Sequence, residues 1–484
     1  MPSPSSTTDA TLTLHPDRAL PAEPGVRALA REIYAAVAGL PIVSMHGHVP
    51  AAWFAEDRPF SDPAELLVVP DHYVVRMLVS QGARPEDLGV RPLDPAAAPA
   101  EADPRVVWRR FCAGWKHFRA TPSRFWLEHE LVEIFGVREV PSEATADAIY
   151  DRIEAVLREP SFRPRALLDR FGIETIATTD EAWDTLGDHA RLAADGYGAR
   201  VLPTFRPDAV CHVDRPTWVA DVDRLGAAAG VDVGTYGGYL EALRAQRARF
   251  VAAGARATDH GHLGVDTTPL DEAEAARVYA AARAGRTTAA AARAFAGHML
   301  FQMAAMSTED GLVMQVHPGV LRDYDRAVHR RLGPDKGYDV PLAVDYARGM
   351  RPVLEAFGHD PRFRTILFTI DETVYSRELA PLAGVFPSVR LGAPWWFLDA
   401  PDAMRRFREA VTETAGFSNM SGFVDDTRAF CSIPARHDLA RRVDAGYLAR
   451  LVAEHRLTLD EALETAADLA YHLPRLAYRA GDAQ

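Results

Sequence analysis

Residues 41–48 read Pro-Ile-Val-Ser-Met-His-Gly-His, a short apolar run that ends in two histidines. Its length and composition are typical of a buried strand, and alternate residues of an extended strand point to the same face. His46 and His48 are therefore expected to converge at the end of that strand. Two convergent imidazoles form half of a metal site. The alternative is two unrelated polar residues in a loop, and the position at a strand end favours the ligand pair.

The same arrangement, a helix followed by a short strand with polar residues at its end, recurs from residue 164 onward. The later predicted strands end at Asp180, Arg206, His260, His317, Asp371, Gly392 and Asp426. Eight strands alternating with helices predict an α/β fold of the (β/α)8 TIM-like barrel type. The rival is an open doubly wound sheet, which would concentrate its polar residues at one switch point. The sequence contains no GxGxxG or GxxxxGK[ST] loop to support that rival.

The chain divides into three predicted regions. Residues 1–40 form an N-terminal segment and a helix, and residues 49–163 form a helical insertion after the first strand. The insertion carries the string Asp71-His-Tyr-Val-Val-Arg76. Residues 41–48 and 164–484 form the catalytic barrel and its C-terminal helices. Barrels with insertions routinely reach this length.

Composition restricts the class of protein. Hydrophobic residues make up 48% and charged residues 25%, as in a globular protein with a sizeable core. The net charge of −13 and the lack of a basic block argue against a nucleic-acid partner. Three widely spaced cysteines fit a reducing compartment. No signal-peptide pattern or apolar run of membrane-spanning length is present. We expect a cytoplasmic protein without a membrane partner.

Two further strand ends carry candidate ligands. His317 ends the fifth strand, where it would complete a ligand set or serve as a hydrogen-bonded core histidine. Asp425 and Asp426 end the eighth strand, which lies next to the first strand in a closed barrel. A carboxylate there reaches both a metal at the two histidines and a substrate proton. The alternative for these aspartates is a helix N-cap.

Other candidates suit an acidic sugar. His72 and Tyr73 offer a proton carrier and a phenol side by side, with Arg76 one helical turn on; a chance polar patch is the alternative. Arg206 is suited to a bidentate grip on a carboxylate, although a structural salt bridge would also explain it. Trp395 and Trp396 offer walls for a sugar ring, and core packing is their alternative.

Together these strings resemble the uronate isomerase (glucuronate isomerase) family of the amidohydrolase superfamily. The shared strings are HGH (46–48), DHYVVR (71–76), TTDEAWDTLGDH (178–189), VLPTFRPD (201–208), TDHG (258–261), MQVH (314–317), APWWFLD (393–399), DDTRAF (425–430) and ARHD (435–438). They cover the chain from about residue 20 to its end. Their number and order make the resemblance specific.

The resemblance implies a set of site residues and a reaction. The implied metal ligands are His46, His48 and Asp426 with His317 close by, and the implied sugar-acid contacts are His72, Tyr73, Arg206, Trp396 and Arg428. The family's reaction interconverts D-glucuronate with D-fructuronate, and D-galacturonate with D-tagaturonate. One divalent metal is implied, more structural or modulatory than strictly required. Zinc suits two histidines and an aspartate, although manganese or iron also binds such ligands. Barrels of this size commonly associate, so we expect a homo-oligomer.

Two positions depart from the family's pattern. The family's first strand commonly reads Asp-Tyr-His-Cys-His, whereas Ser44 stands at the acidic position and Gly47 replaces the cysteine. Loss of the acid removes a partner for the metal ligands and is expected to weaken or re-tune the metal. The eighth strand commonly reads Thr-Asp-Ser-Arg, so Asp425 and Thr427 add a carboxylate and a methyl group near the site.

The superfamily is mostly hydrolytic, so a mononuclear metal-dependent hydrolase of a carboxylated sugar derivative or lactone is the main alternative. Binuclear members usually use a carboxylated lysine from the fourth strand. This chain has only Lys116 and Lys336, neither at a strand end, and no histidine in Thr369-Ile-Asp371 after the sixth strand. A barrel that binds uronates without catalysis is a third possibility that no feature of the sequence favours.

The expected mechanism is a proton transfer from C2 to C1 through a cis-enediol. Arg206 holds the C6 carboxylate, and Asp426 or the metal helps to open the ring. Arg428 or the metal stabilises the enediolate charge. Tyr73, His72 and Asp426 all remain candidates for base and acid. We favour Tyr73 near the C2 proton and Asp426 at the ring oxygen.

Overall fold

Parallel strands form the centre of the molecule in the computed structural model, which describes residues 11–479. Seven of them, called here the first to the seventh barrel strands, are Ile42–Ser44, Ile173–Ala177 (continued by Asp180–Glu181), Val201–Leu202 (continued by Phe205–Arg206), Ala257–His260, Val313–Val316, Thr365–Leu367 and Val389–Leu391. Each pairs in parallel with the next along the chain. This neighbour-to-neighbour order is that of a (β/α)8 barrel, as predicted.

The eighth position of the barrel is irregular. No regular strand forms over the predicted residues 417–426, and one bridge joins Leu391 to Met420. Gly422 and Asp426 have φ angles of 76° and 42°, which interrupt an extended chain. Closure depends instead on two backbone hydrogen bonds: Asp426 N donates to His46 O (3.1 Å) and His48 N donates to Thr427 O (2.9 Å). These bonds fix the two chain segments that carry the candidate metal ligands against each other.

The segment after the first barrel strand is rich in helices. They are Ala51–Glu56, Pro63–Leu67, His72–Val79, Pro104–Ala113, Pro122–His129, Ala146–Leu157 and Pro164–Arg170, the 3₁₀ turns Pro85–Leu88, Trp115–Phe118 and Pro160–Phe162, and the π-helical turn Glu130–Ile134. Proline in the first turn and an aspartate or threonine cap start several of them. Their core, centred on Trp108 and Phe111, is continuous with Ile173 and Ile176 of the second barrel strand.

The remaining helices surround the barrel. Those between its strands are Gly187–Ala194, Asp208–Cys211, Trp218–Ala229, Tyr236–Ala252, Glu272–Arg283, Ala289–Asp310, Arg326–Leu332, Tyr346–Gly349, Arg351–Phe357, Tyr375–Leu379 (π-helical), Ala380–Val385, Trp396–Leu398 (3₁₀) and Pro401–Ala415. After the eighth position come Phe430–Ser432 (3₁₀), Ile433–Ala453, Leu459–Ala467, Asp468–His472 (π-helical) and Leu473–Ala477. Among residues 11–479, no helix has the length and apolar character needed to cross a membrane.

The N-terminal helix, Pro24–Val37, packs on the long helix Ile433–Ala453. The Asp438 carboxylate receives hydrogen bonds from Arg18 Nη2 (2.6 Å) and from the Tyr34 hydroxyl (2.5 Å). Arg441 Nη2 donates to Leu40 O at 2.8 Å. The predicted N-terminal segment is therefore tied down from Thr11 onward, while residues 1–10 lie outside the described part of the chain.

The interior of the barrel is a packed core. Val43, Val313, Ile366 and Phe368 are buried in it, and Tyr478 joins the same cluster. The Tyr478 hydroxyl donates to Gln315 Oε1 at 2.8 Å, so its polar group is satisfied inside the core. Chemistry is consequently confined to the mouth at the carboxyl ends of the strands, where barrel active sites are built.

Candidate active site

A polar cleft opens at the carboxyl ends of the barrel strands. Its walls come from the first, third, fifth, seventh and eighth positions of the barrel and from the start of the insertion helix His72–Val79. The hairpin formed by Val320–Leu321 and Val340–Pro341, after the fifth strand, contributes further side chains. The cleft therefore collects residues from most of the chain.

His46, His48 and Asp426 form a tight group in this cleft. Asp426 Oδ1 lies 3.4 Å from His46 Nε2 and 3.1 Å from His48 Nε2. Two ligands bound to one tetrahedral zinc at about 2.0–2.1 Å stand roughly 3.4 Å apart. Their separations and their nitrogen and oxygen donors thus fit one shared divalent ion, and the three side chains form one possible ligand set.

The charges of this group favour cation binding. Burial alone would raise the pKa of Asp426, but the adjacent His46 and His48 hold the pKa of this carboxyl far below its usual range. Burial lowers the pKa of His48 to about 4, so that imidazole is neutral and free to act as a ligand. Burial opposes the charge of His46, but Asp259 and Asp426 raise its pKa, so metal binding there would release a proton.

Asp259, at the end of the fourth strand, connects the metal group with the rest of the site. Its side chain is fully buried and lies 2.7 Å from His317 Nε2, 3.4 Å from Arg206 Nη1 and 3.7 Å from His46 Nδ1. Burial opposes its ionisation, but these neighbours outweigh burial and hold the pKa of Asp259 well below its usual value. An ionised Asp259 therefore places one buried negative charge beside two histidines and an arginine.

Three guanidinium groups give the cleft positive charge. Arg206 Nε donates to Asp208 Oδ2 at 3.0 Å, so its planar head is held in place. On the other side, Arg428 Nη2 donates to Asp335 Oδ2 at 2.8 Å, and Arg322 Nη1 lies 3.3 Å from the other oxygen of Asp335. Arginines oriented in this way suit a carboxylate ligand.

His72 and Tyr73 begin the helix His72–Val79. Asp71 caps it, accepting hydrogen bonds from Tyr73 N (2.8 Å) and Val74 N (3.3 Å), which fixes the direction of the first turn. The rings of His72 and Tyr73 stack with centroids 4.5 Å apart. Burial, with help from Arg428, lowers the pKa of His72 to about 3. Tyr73 lines the cleft, and its buried hydroxyl has no hydrogen-bond partner among residues 11–479.

Arg436, from the string ARHD, is buried outside the lining of the cleft and contacts three parts of the site. Its Nη1 donates to Asp399 Oδ2 at 2.6 Å and to the backbone oxygen of Asp425 at 3.4 Å. Its guanidinium lies 3.5 Å from the Trp126 ring centroid and 5.4 Å from that of Tyr73. One buried side chain therefore connects the loops after the seventh and eighth positions with the tyrosine of the insertion.

The tryptophan pair serves two separate purposes. Trp395 is buried and packs on His46 and His317, with ring centroids 5.1 Å and 5.0 Å away. Trp396 adopts a φ of 53°, a conformation that is unfavourable for a bulky side chain and that turns the chain at the cleft. Arg322 lies over the Trp396 ring at 4.9 Å. Trp395 therefore supports the metal group, while Trp396 forms a wall next to an arginine.

A sequence model of the glucuronate isomerase family matches residues 26–476. A uronate isomerase of Rhizobium meliloti (strain 1021) is 54% identical over 466 residues, which cover 96% of this chain and 99% of that relative. The crystal structure of glucuronate isomerase from Caulobacter crescentus superposes with a TM-score of 0.95 at 47% identity, covering 98% of both chains.

The chain belongs to the glucuronate isomerase family.

Most site residues named from the sequence line the cleft of this glucuronate isomerase family member. They are His46, His48, His72, Tyr73, Arg206, His317, Trp395, Trp396, Asp426 and Arg428. Arg76 is not among the lining residues, so its expected contact with the substrate stays a prediction. Its guanidinium lies over the rings of Tyr73 (5.0 Å) and Phe397 (5.1 Å). Arg76 lies one helical turn after Tyr73, and its guanidinium contacts the phenol ring from outside the cleft.

His317 is near the metal group but is placed differently from the other candidate ligands. It does not belong to the group formed by His46, His48 and Asp426. Its Nε2 is 2.7 Å from Asp259, and its ring packs on Trp395. The structure therefore favours a contact with substrate or with Asp259 over metal ligation for this histidine.

Gly47 and Asp425, which both depart from the family pattern, are close to each other in the structure. Gly47 stands where the family has a cysteine, and a Cβ atom at this position would lie 3.4 Å from Asp425 Oδ1. Asp425 is buried, and its Oδ2 is 3.2 Å from His437 Nε2. It is not among the residues that line the cleft, although the sequence analysis placed its carboxylate near the site. The acid missing at Ser44 also has a substitute, because Asp259 supplies a carboxylate 3.7 Å from His46.

Some residues of the site had no assigned role in the sequence analysis. Asp208 and Asp259 stand within quoted strings; Asp208 pairs with Arg206 of its own string, whereas His46 and His317, near Asp259, lie far away in sequence. Arg322, Asp335 and Asp339 reach the cleft from the hairpin after the fifth strand. The stretch between Val316 and Tyr346 is far longer than an ordinary strand-to-helix connection. Connections of that length commonly carry functional residues. The length of this stretch is therefore the sequence feature that points to Arg322, Asp335 and Asp339.

Proposed function

We propose that this chain is an aldose–ketose isomerase that interconverts D-glucuronate and D-fructuronate, and also D-galacturonate and D-tagaturonate. One observation carries the proposal: Tyr73, whose buried hydroxyl has no partner, lines a cleft that also holds two guanidinium groups, Arg206 and Arg428, each held by an aspartate. A sugar acid has hydroxyl groups that can pair with Tyr73 and a carboxylate that can pair with a guanidinium group. Membership in the glucuronate isomerase family supports the same reaction.

Arg206 is assigned to the substrate carboxylate. Its Nε is bonded to Asp208 and its Nη1 is 3.4 Å from Asp259, so little side-chain entropy remains to be lost on binding. Burial opposes its charge, but Asp208 and Asp259 keep the pKa of Arg206 above its ordinary value. A fixed, permanently charged group at this position orients the sugar with its reacting end toward Tyr73 and Asp426.

Asp426 and Tyr73 are assigned to the proton transfers. The ionised Asp426 takes the proton of the anomeric hydroxyl and returns it to the ring oxygen, which opens the sugar. Tyr73 passes its hydroxyl proton to O1 of the open aldehyde and takes the C2 proton, which gives the cis-enediol. It then delivers the proton from C2 to C1 and takes up the proton of the O2 hydroxyl, which gives the ketose. Burial, together with Asp426 and Asp399, raises the pKa of Tyr73 well above its usual value, and Arg436 and Arg76 oppose this rise only in part. Arg428 lies where it stabilises the negative charge of the cis-enediolate.

We further propose one divalent ion, zinc, held by His46, His48 and Asp426. The imidazole and carboxylate donors match its preferences. When bound, it supplies Lewis acidity that polarises the substrate oxygens. Association into a homo-oligomer and a cytoplasmic location complete the proposal, because barrels of this size commonly associate and the three described cysteines are free thiols.

The direct test is incubation of the purified protein with each hexuronate, followed by a ketose assay. We expect D-fructuronate from D-glucuronate and D-tagaturonate from D-galacturonate. With C2-deuterated glucuronate, deuterium retained at C1 is expected if one base carries the proton. Absence of a ketose from every hexuronate, together with hydrolysis of a uronate amide or lactone, would replace the isomerase with the hydrolase alternative.

A further inference from the structure

A second group of potential ligands lies beside the cleft, apart from His46, His48 and Asp426. Asp208 begins the short helix after the third strand, His212 follows that helix, and His262 follows the fourth strand. One ligand atom from each of the three lies within 4.8 Å of the other two. The imidazole rings of His212 and His262 stand 4.6 Å apart between centroids. The catalytic assignments above do not use either histidine.

His262 has an unmet capacity for a partner. It is only 9% exposed, and its ring nitrogens form no hydrogen bond with the described residues. Neither ring nitrogen is fully shielded from solvent, so a ligand can reach them. Burial and the neighbouring His212 hold the pKa of His262 well below its usual value, so the ring is neutral with a free lone pair. A neutral imidazole in this state is a ready metal ligand.

The other two side chains retain donor capacity as well. His212 Nε2 is hydrogen-bonded to the backbone oxygen of Gly261 at 3.0 Å, which leaves the Nδ1 lone pair available. Asp208 accepts hydrogen bonds from Gly261 N through both oxygens and from Arg206 through Oδ2. A carboxylate has about four acceptor positions, so one on Oδ1 remains open. Burial opposes ionisation, yet Arg206 lowers the pKa of Asp208 to about 2.

We propose that Asp208, His212 and His262 form a second binding site for a divalent transition-metal ion, with zinc as the preferred occupant. Two imidazoles and one carboxylate are a zinc ligand set, and a fourth position is left for water. The backbone of Gly261 separates this site from the first: a Cβ there would lie 2.9 Å from both Asp208 Oδ2 and His317 Cε1. The inference concerns a different site from the proposed isomerase centre and stands independently of that function.

Metal stoichiometry tests the proposal. Protein freed of metal with a chelator is titrated with Zn²⁺ against a chelating indicator, and bound zinc is counted per chain. We expect two equivalents for the wild type. One equivalent is expected for the H212Q/H262Q variant and one for the H46Q/H48Q variant. The variant with all four substitutions is expected to bind none, and H329Q/H359Q, which alters two histidines outside both groups, is expected to bind two.

The H46Q/H48Q variant makes the test independent of any folding defect in H212Q/H262Q. It leaves the second site untouched, and Co²⁺ bound there is expected to give the visible absorption of a low-coordinate nitrogen–oxygen site. Zinc binding by H212Q/H262Q equal to that of the wild type would overturn the proposal, as would absence of metal binding by a folded H46Q/H48Q protein. Because the readout is bound metal, failure of the isomerase assay would not affect this result.

Discussion

At the scale of single residues, Tyr73 lines the cleft and has a buried hydroxyl without a hydrogen-bond partner among the described residues. An unpartnered buried hydroxyl costs on the order of 1–3 kcal/mol. The protein tolerates this cost at a position where a substrate oxygen would supply the missing partner. Strain of this kind is typical of groups that are positioned for a ligand rather than for stability.

The Y73F variant separates these two effects. We expect kcat for D-glucuronate to fall by about 10²–10⁴-fold, since a proton-transfer group is lost. KM should change little, and the free energy of unfolding should be unchanged or larger, because the unpartnered hydroxyl is removed. Steady-state kinetics and urea unfolding measure the two quantities. Y324F, at an exposed tyrosine, is the matched control, and full activity in Y73F would remove Tyr73 from the mechanism.

Asp425 and Asp426 are neighbours in sequence with different partners, which gives a second test. In D426N we expect zinc affinity at the first site to fall by more than about 100-fold, because a charged ligand is lost. In D425N the affinity should stay within a few-fold of wild type, because that carboxylate faces His437. Competition with a chelating indicator measures both affinities. Equal losses in the two variants would contradict the assigned ligand set.

The side chains of single strand ends could be predicted from the sequence, but their partners could not. His46 and His48 follow the strand Ile42–Ser44 directly, and the apolar run before them was enough to place both at a strand end, which is a local property. The contacts of Asp259 with His46 and His317 depend on the register between three strands. Arg436 joins Asp399 to the neighbourhood of Tyr73 across several hundred residues. No periodicity in the chain encodes such contacts.

At the scale of elements, the second and third barrel strands are joined by a buried carboxylate. Asp180 accepts hydrogen bonds from Thr178 Oγ1 (2.7 Å) and from Thr204 N (3.2 Å). Burial raises the pKa of Asp180 to about 7. Since its pKa in the unfolded chain is near 3.8, the folded state binds this proton more tightly. The contribution to stability is full below about pH 4 and is lost as the pH rises to 7.

The D180N variant is expected to remove this pH dependence. An asparagine oxygen can still accept both hydrogen bonds, but it does not ionise. Relative to wild type, D180N should gain about 2–4 kcal/mol in the free energy of unfolding between pH 4 and pH 8. Urea unfolding at a series of pH values measures the difference. The unfolding curve of D188N, at a half-buried aspartate of the next helix, should run parallel to that of wild type. A parallel curve for D180N would contradict the assignment to Asp180.

Strands and helices could be predicted where the hydrophobic residues follow one clear pattern. Where no such pattern is present, the sequence predicted the elements less well. The first seven strands were expected near their observed positions because each is a short apolar run. The eighth was not realised as a strand, since Gly422 and Asp426 take positive φ values. The hairpin Val320–Leu321 with Val340–Pro341 was not anticipated, because its strands of two residues are too short to show alternation.

At the scale of the whole molecule, Asp438 joins the start of the described chain to its last long helix. It contacts Arg18, Tyr34 and Arg442 and is only 11% exposed. We expect D438A to lower the free energy of unfolding by about 3–5 kcal/mol, because two arginines lose a largely buried partner. Thermal and urea unfolding measure the loss. D402A, which removes an exposed pair with Arg405, should cost under about 1 kcal/mol; equal losses would show that the buried network contributes no more than a surface pair.

Closure of the barrel has a consequence for biosynthesis. The bond from Asp426 N to His46 O joins residues that are 380 positions apart, since 426 minus 46 is 380. At about 5–20 residues per second, a ribosome needs roughly 20–75 s to cover that distance. During this interval the edge of the first strand has no partner on that side, and His46 and His48 lack their carboxylate. The metal centre is therefore among the last parts of the enzyme to be assembled, and metal cannot guide the folding of the nascent chain that precedes it.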